Sequence, residues 1–432
     1  MNLSSNDNIA NKPPPAAWYR WVVLLFVSLA MFGNYYIYDS IGPIADILKT
    51  QLNFTDENIG ALYSVYSLAA IIILIFGGIF VDRYGTKLSI LVFAAICSIA
   101  ALVTSISSDL TIMLIGRFLL GIGAEPLIVA VTTSLAKWFK GKELGFAMGI
   151  NLSIARLAQI YADWSPTLHK GLYATWQDPL FLAVVVGLTC VIGGAVYYYM
   201  ESNAEKKYHL GEAGEVDKFV FKDLFTFNKS FWIIVLLCVT FYSAIFPFRS
   251  FAIKFFQHSH GLERDLAGRF SSALPFASMV IAPLFGLLAD KIGKRALLMM
   301  IGSAMLVPVF LIMGYTDLTL YIPVAMMGIA FSLIPAVMWP SVAYIVEEKR
   351  LGTAYSVMTL IQQVGVMGFV WGIGVANDYA GASAENPDGY NLGMWIFSVL
   401  GIFGLIFAWM LRRAETGPNS HGLEEGMKTR EG

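Results

Sequence analysis

Apolar positions dominate this chain in long blocks, separated by short polar connections. Twelve blocks stand out, at 21–44, 58–81, 88–107, 110–135, 144–163, 178–200, 231–253, 270–289, 296–314, 319–345, 352–377 and 392–411. Each is close to the ~20 residues a helix needs to cross a bilayer. In lipid a backbone must satisfy its own hydrogen bonds, so blocks of this length predict helices. The pattern predicts an all-α membrane protein with twelve transmembrane helices. It divides into a cytoplasmic N-terminal tail (1–20), a six-helix bundle (21–200), a cytoplasmic linker (201–230), a second six-helix bundle (231–414) and a cytoplasmic C-terminal tail (415–432). The segment "MNLSSNDNIANKPPPAAW" is polar and Pro-rich and lacks a small-residue cleavage site, so the first span is expected to stay in the mature protein.

Composition agrees. Charged residues make up 14% of the chain and hydrophobic residues 57%, with a mean hydropathy of +0.65; a soluble domain is about 25% charged. The three cysteines, Cys97, Cys190 and Cys238, sit in apolar blocks and offer no disulfide framework. A net charge of −1 implies no nucleic-acid partner. Of 29 Lys and Arg residues, 21 fall in the termini and even-numbered loops. Five fall in the opposite loops (Lys49, Lys170, Lys254, Arg264 and Arg269), and three within spans (Arg117, Arg156 and Arg249). Basic residues accumulate on the cytoplasmic side, which places both termini there.

The two halves repeat each other. "GGIFVDRYGTK" (77–87) closes span two and "FGLLADKIGKR" (285–295) closes span eight, with Asp82 and Asp290 208 positions apart. "KELGFAMG" and "KRLGTAYS" align Gly145 with Gly352, 207 positions apart. A parallel duplication is expected of secondary transporters, with the substrate site between halves near the midplane. In these loops Gly78 and Gly286 are expected to let helices approach closely, and Gly85 and Gly293 to turn with positive φ. Asp82, Arg83, Lys87, Asp290 and Arg295 are candidates for a cytoplasmic latch that forms in one state and breaks in the other. The bland alternative is an ordinary basic loop, which two copies in register make the weaker reading.

Two full charges lie inside apolar blocks. Glu125 is 12 residues before Lys137, at the cytoplasmic end of span four, and Arg156 is 12 residues after Leu144, at the start of span five. Helical rise puts both ~18 Å from the same interface, near the middle of the membrane. A lone Arg there costs about 2.5–3.5 kcal/mol or more, so it needs a cavity or a partner. One reading is a buried Glu125–Arg156 bridge pinning two helices. The other is a clamp: Arg156 grips a carboxylate in bidentate fashion while Glu125 accepts hydrogen bonds from an ammonium. The second half favours the clamp, since the repeat offset of 207 aligns these charges with neutral Ser332 and Gln363. Pro126 loosens its helix, and Gly121 and Gly123 are expected to leave room for a cavity. Tyr35, Tyr38 and Asp39 share one face of span one by their i, i+3, i+4 spacing. Tyr242 and Trp339 sit near helix-breaking prolines. With Gln363, these complete the candidate substrate-binding set, and Arg117 reads as a brace.

H-E-x-x-H, G-x-S-x-G and Walker A motifs are absent, which argues against an enzyme, and no cofactor or metal is expected. The loops at 77–87 and 285–295 resemble the signature of the major facilitator superfamily. "GIGAEPL", "NYYIYD", "WFKGKELGFAMGINLSIARL" and "MWPSVAYIVEEKRLGTAYSVMTLIQQVG" resemble its lysosomal dipeptide uniporter branch. That resemblance implies facilitated dipeptide movement, with an acidic residue on span four and an arginine on span five binding the peptide termini; here they are Glu125 and Arg156. It also implies an accessory glycoprotein in animals. The compact tails lack an acidic dileucine signal and point to a monomer in a bacterial inner membrane without that partner; the resemblance gives the lysosomal membrane as the alternative. Two competing readings are a proton-coupled carrier of organic anions or drugs and a non-transporting receptor. The first lacks an E-x-x-E-R motif; the second leaves the paired loops unexplained.

Overall fold

The structure, a computed structural model, describes residues 13, 15–139, 143–208, 210, 226–316, 318–347, 350–418 and 420–425. Most of both tails, most of the 201–230 linker and Lys140–Gly141–Lys142 of the span four–five hinge lie outside the described residues. Among those described, regular structure is helical. In chain order the helices are α1 (Ala17–Asp39), α2 (Ala45–Leu52), α3 (Asp56–Ser105), α4 (Leu110–Phe139), α5 (Leu144–Leu168), α6 (Gln177–Lys207), α7 (Lys229–His260), α8 (Arg264–Ile292), α9 (Arg295–Tyr315), α10 (Tyr321–Ile345), α11 (Leu351–Tyr379) and α12 (Asn391–Glu415).

Local chemistry explains the boundaries. Span one ends where Pro43 enters a 3-10 turn, Gly42–Ile44, that leads into α2. Thr55 and Asn58 cap each other's backbone N–H at the start of α3, at 3.0 and 3.1 Å. Spans two and three run together as α3, broken at Gly85, whose φ of 76° and ψ of 168° suit a residue without Cβ. The corresponding turn between α8 and α9 uses Gly293 at φ 66° and Lys294 at φ 52°. Asn228 caps α7 through the Phe231 N–H at 2.9 Å, and Gly261 ends it in the left-handed region.

Eleven helical segments among the described residues are long and apolar enough to cross a bilayer. The expected fifth span, α5, falls short because Asn151, Arg156, Gln159 and Asp163 dilute its apolar residues. Several spans outrun their predicted limits: α7 continues to His260, so Lys254 is not in a loop but inside the helix, buried to 1% exposure.

Two compact units emerge. The first comprises the described parts of Met1–Tyr38, Ile72–Ala158 and Leu180–Lys218. Its helices meet through missing side chains. A Cβ on Gly193 of α6 would lie 2.4 Å from the Phe26 carbonyl of α1, and one on Gly116 of α4 2.3 Å from the Thr104 hydroxyl. Between lipid-embedded helices such close backbone approach takes the place of a hydrophobic driving force. The second unit holds Asp39–Ile71, Gln159–Pro179 and Phe219–Gly432. Its core is an aromatic cluster where Phe248 of α7 meets Phe310 of α9 (5.5 Å between rings) and Phe397 of α12 (6.0 Å). Below, "distal" is the end of the connections that follow odd-numbered spans, and "proximal" the end carrying the paired Asp loops.

Candidate functional site

Within the first unit, α4 and α5 are continuous through Glu125 and Arg156, which lie ~21 Å from the Phe139 end of α4 and ~18 Å from the Leu144 start of α5. Both are half-buried. Pro126 stays within α4, and its ring packs on α3, where a Cβ on Gly77 would lie 3.0 Å from Pro126 Cγ. Gly123 does not open a cavity as expected: a Cβ there would meet Cys97 Sγ at 2.8 Å and the Phe93 carbonyl at 3.0 Å, so its small size serves helix packing. The polar depth of α4 is thereby locked against α3 on both sides of Glu125. Arg117 is a brace: almost wholly buried, it donates to the carbonyls of Ile37 and Tyr38, each at 3.1 Å. It fixes the end of α1, where half-buried Tyr35 and Tyr38 share a face with Asp39.

In the second unit the candidates Tyr242 and Trp339 come together, with Trp339 Nε1 donating to Tyr242 Oη at 3.0 Å. Tyr355 joins them by donating to the Trp339 carbonyl at 3.3 Å, and Phe246 stacks on Tyr242 at 5.5 Å. Neither Tyr355 nor Phe246 was singled out from the sequence: Phe246 lies one helical turn from Tyr242, a signal too common to select it, and Tyr355 meets Trp339 on a different helix, 16 positions away. Gln363 is buried on α11, two helical turns beyond Tyr355. Ser332, the repeat counterpart of Glu125, is fully buried and donates back to the Gly328 carbonyl at 2.7 Å.

The distal ends of spans one, two and five belong to this second unit, and there they form a charge network the sequence did not reveal. Arg249 of α7 donates to Asp163 Oδ2 at 3.2 Å and faces Asp39 Oδ2 at 3.6 Å, with all three side chains nearly or fully buried. Asp39 thus pairs with a residue of α7. A second set joins Lys254, Asp56, Lys49 and Asp378. Asp56 is fully buried and binds Lys254, and Lys49 at 2.8 Å; Lys49 lies 3.8 Å from Asp378. Asp378, near the end of α11, also accepts the backbone N–H groups of Asp56 and Glu57 at 2.9 and 2.7 Å, capping α3. Glycines seat these contacts: a Cβ on Gly374 would lie 2.3 Å from the Asp56 carbonyl, and one on Gly268 2.1 Å from that of Asp163. Lys254 and Asp163 escaped notice because each sits at the rim of a predicted span, where a charge usually meets water.

At the proximal end, Asp290 pairs with Arg295, whose guanidinium also lies over the Tyr344 ring at 4.6 Å. Arg83 stacks on Tyr84 at 5.4 Å, and Lys87 is bound to Glu205 of α6, so it serves its own unit. Gly286 meets nothing within 4 Å, against the expectation of a close helix contact; in the first half Gly77, beside the predicted Gly78, makes one.

A polytopic helical chain with a duplicated Asp–Gly loop, opposed charges well inside consecutive helices and a buried distal ion network has the parts of a membrane carrier. Its sequence matches the profile of the Major Facilitator Superfamily over residues 27–369 and 248–430, and the chain belongs to that superfamily. It is 30% identical to the lysosomal dipeptide transporter MFSD1 of Bos taurus over 366 residues, 81% of this chain and 77% of that protein. To its Homo sapiens counterpart it is also 30% identical, over 82% of this chain and 79% of the relative. A bacterial homologue of the human lysosomal transporter Spinster shares the fold with a TM-score of 0.75 at 16% identity, covering 92% of this chain and 98% of that one. The nucleoside transporter NupG does so at 0.71 and 13%, covering 90% and 98%. The protein is a multi-pass membrane transporter of the major facilitator class, acting on a small solute.

Proposed function

We propose that the chain moves dipeptides or closely related zwitterions by alternating access, as a uniporter. The observation that carries this reading is that Glu125 and Arg156, of opposite charge, each lie well inside an unbroken helix of one unit, on consecutive helices. Arg156 binds the substrate carboxylate through its planar fork, and Glu125 accepts from the terminal ammonium. The MFSD1 relatives, named for dipeptide transport, support the substrate class. In the same unit, Tyr35 and Tyr38 supply further polar and aromatic surface for the substrate. The protein works as a monomer in a bacterial inner membrane with both termini cytoplasmic, and the bundles at 21–200 and 231–414 are the moving parts.

Gating follows from the two ends. Distally, opening separates Arg249 from Asp39 and Asp163, and Lys254 from Asp56. Proximally, the loops carrying Asp82, Arg83, Asp290 and Arg295 act as the latch. Separating a charged pair in a low-dielectric setting is costly unless water or another group replaces the lost partner, and substrate held between Glu125 and Arg156 lowers that barrier for the loaded step.

Uptake of a labelled dipeptide into proteoliposomes tests the clamp. Arg156→Ala and Glu125→Gln should each cut kcat/KM by about tenfold or more, the loss of one charge-assisted contact. Arg156→Lys should recover only part, because a point charge cannot reproduce the bidentate geometry. Parental rates in both neutral variants would refute the reading. A proton-coupled carrier of organic anions is the second reading, favoured by one feature: the distal cluster sets two carboxylates, Asp39 and Asp163, against one guanidinium. Accumulation that requires an imposed pH gradient would select it.

A further inference from the structure

We propose that the distal groove between α8 and α10 binds an anionic phospholipid, with Arg269 on the headgroup phosphate and an acyl chain in the groove. The helix face that carries Arg269 is exposed along its length. Leu266 precedes it and Phe276, Val280 and Leu284 follow at helical spacing, and all four are exposed apolar residues. In a membrane-spanning helix such a stripe faces lipid. Arg269 is the charge on that stripe, and its side chain makes no ion pair or hydrogen bond with any described residue. It lies five residues into α8, ~7.5 Å along the axis from the helix start, at headgroup depth rather than in the hydrocarbon centre.

The groove is a consequence of local packing. Deeper in the membrane α8 and α10 are in tight contact, since a Cβ on Gly328 would lie 3.1 Å from Ala277 Cβ. Toward the distal end, larger side chains hold the helices apart. Leu266, Phe270 and Ala273 on one side, and Tyr321 and Val324 on the other, line a cavity of about 340 Å³ with Arg269 on its wall. The Tyr321 ring packs on Phe270 at 5.1 Å, yet the residue remains 69% exposed, the disposition of an aromatic at a membrane interface. An apolar slot that opens beside an unneutralised guanidinium fits a molecule with a phosphate at one end and hydrocarbon at the other. A guanidinium matches a phosphate bidentately, so the headgroup charge matters as well as the chain.

Lipid-stripped full-length protein in detergent, titrated with short-chain phosphatidylglycerol or phosphatidylcholine, tests the site by thermal shift and by native mass spectrometry of retained lipid. Wild type should prefer phosphatidylglycerol by about fivefold, the worth of one basic residue at an anionic surface. Arg269→Gln should equalise the two lipids while leaving the unliganded melting temperature unchanged, because the side chain is exposed. Ala273→Trp, which fills the slot, should weaken both lipids, and inorganic phosphate alone should bind neither form. Equal affinity of wild type for both headgroups, or an undiminished preference in Arg269→Gln, would overturn the assignment.

Discussion

Gly268 leaves no space for a side chain above the Asp163 carbonyl, and Gly286, in the same helix, faces open space. Replacing each by alanine should therefore move stability in opposite directions. Gly268→Ala must push α5 away or distort α8 and should destabilise by about 1–3 kcal/mol, as overpacking does. Gly286→Ala meets no obstacle and should be neutral or stabilise by up to about 1 kcal/mol through helix propensity. Thermal unfolding of the two variants in one detergent checks both signs. The buried pair Lys254–Asp56 allows a second measurement. Removing Asp56 strands Lys254 and should cost about 3–5 kcal/mol, whereas removing Lys254 leaves Asp56 its Lys49 partner at 2.8 Å and should cost less, and Lys254→Met combined with Asp56→Asn should recover much of the Asp56→Asn loss. Equal melting temperatures for the single variants and wild type would mean the pair is not closed in the folded protein. At this scale the sequence placed Glu125 and Arg156 well inside their helices, because that follows from counting along one helix. It concealed the partners of Asp163, Arg249 and Lys254, because those lie on other helices.

The paired Asp–Gly loops became turns as expected, with Gly85 and Gly293 both at positive φ. Their surroundings differ. In the second copy the described C-terminal residues fold back on α9: Glu424 accepts from the Ala296 and Leu297 N–H groups at 2.9 and 3.3 Å, and the Arg295 N–H donates to the Leu423 carbonyl at 3.0 Å. Leu423 is fully buried, and His421 is held to Glu415 at 2.8 Å. A tail residue thus caps a transmembrane helix whose own N-cap position, Lys294, has no side chain to do so. Glu424→Ala should cost about 0.5–2 kcal/mol, read as a lower melting temperature, and Gly422→Ala should lower it too, because that glycine sits at φ 81°. An unchanged melting temperature in both variants would show that the tail does not support α9. Sequence periodicity could not foresee this contact, since the tail carries no apolar block and Leu423 is a single apolar residue in a polar run.

For the molecule as a whole, the proposed alternating access requires the distal set of charges to come apart in each cycle. Lys49 and Asp378 lie at the more accessible edge of that set, and the native cysteines are buried. Cysteines placed at these two positions and joined by a short, reducible bis-thiol reagent should stop the proposed dipeptide uptake, and reductant should restore it. Uptake that survives complete cross-linking would mean the distal contacts need not open.

The long apolar helices and the glycine turns of the paired loops were legible in the sequence. Each depends on hydropathy, periodicity or spacing along a single stretch of chain, and the bilayer, which forbids unpaired backbone, converts those directly into helices. Tertiary structure alone decided that the distal ends of spans one, two and five join the unit of the C-terminal helices, which glycines mark close approach, and that Lys254 meets Asp56 across 198 positions. Close approach and ion pairing depend on how separate helices lie against one another, and a pattern read along one helix carries no record of its neighbour's face.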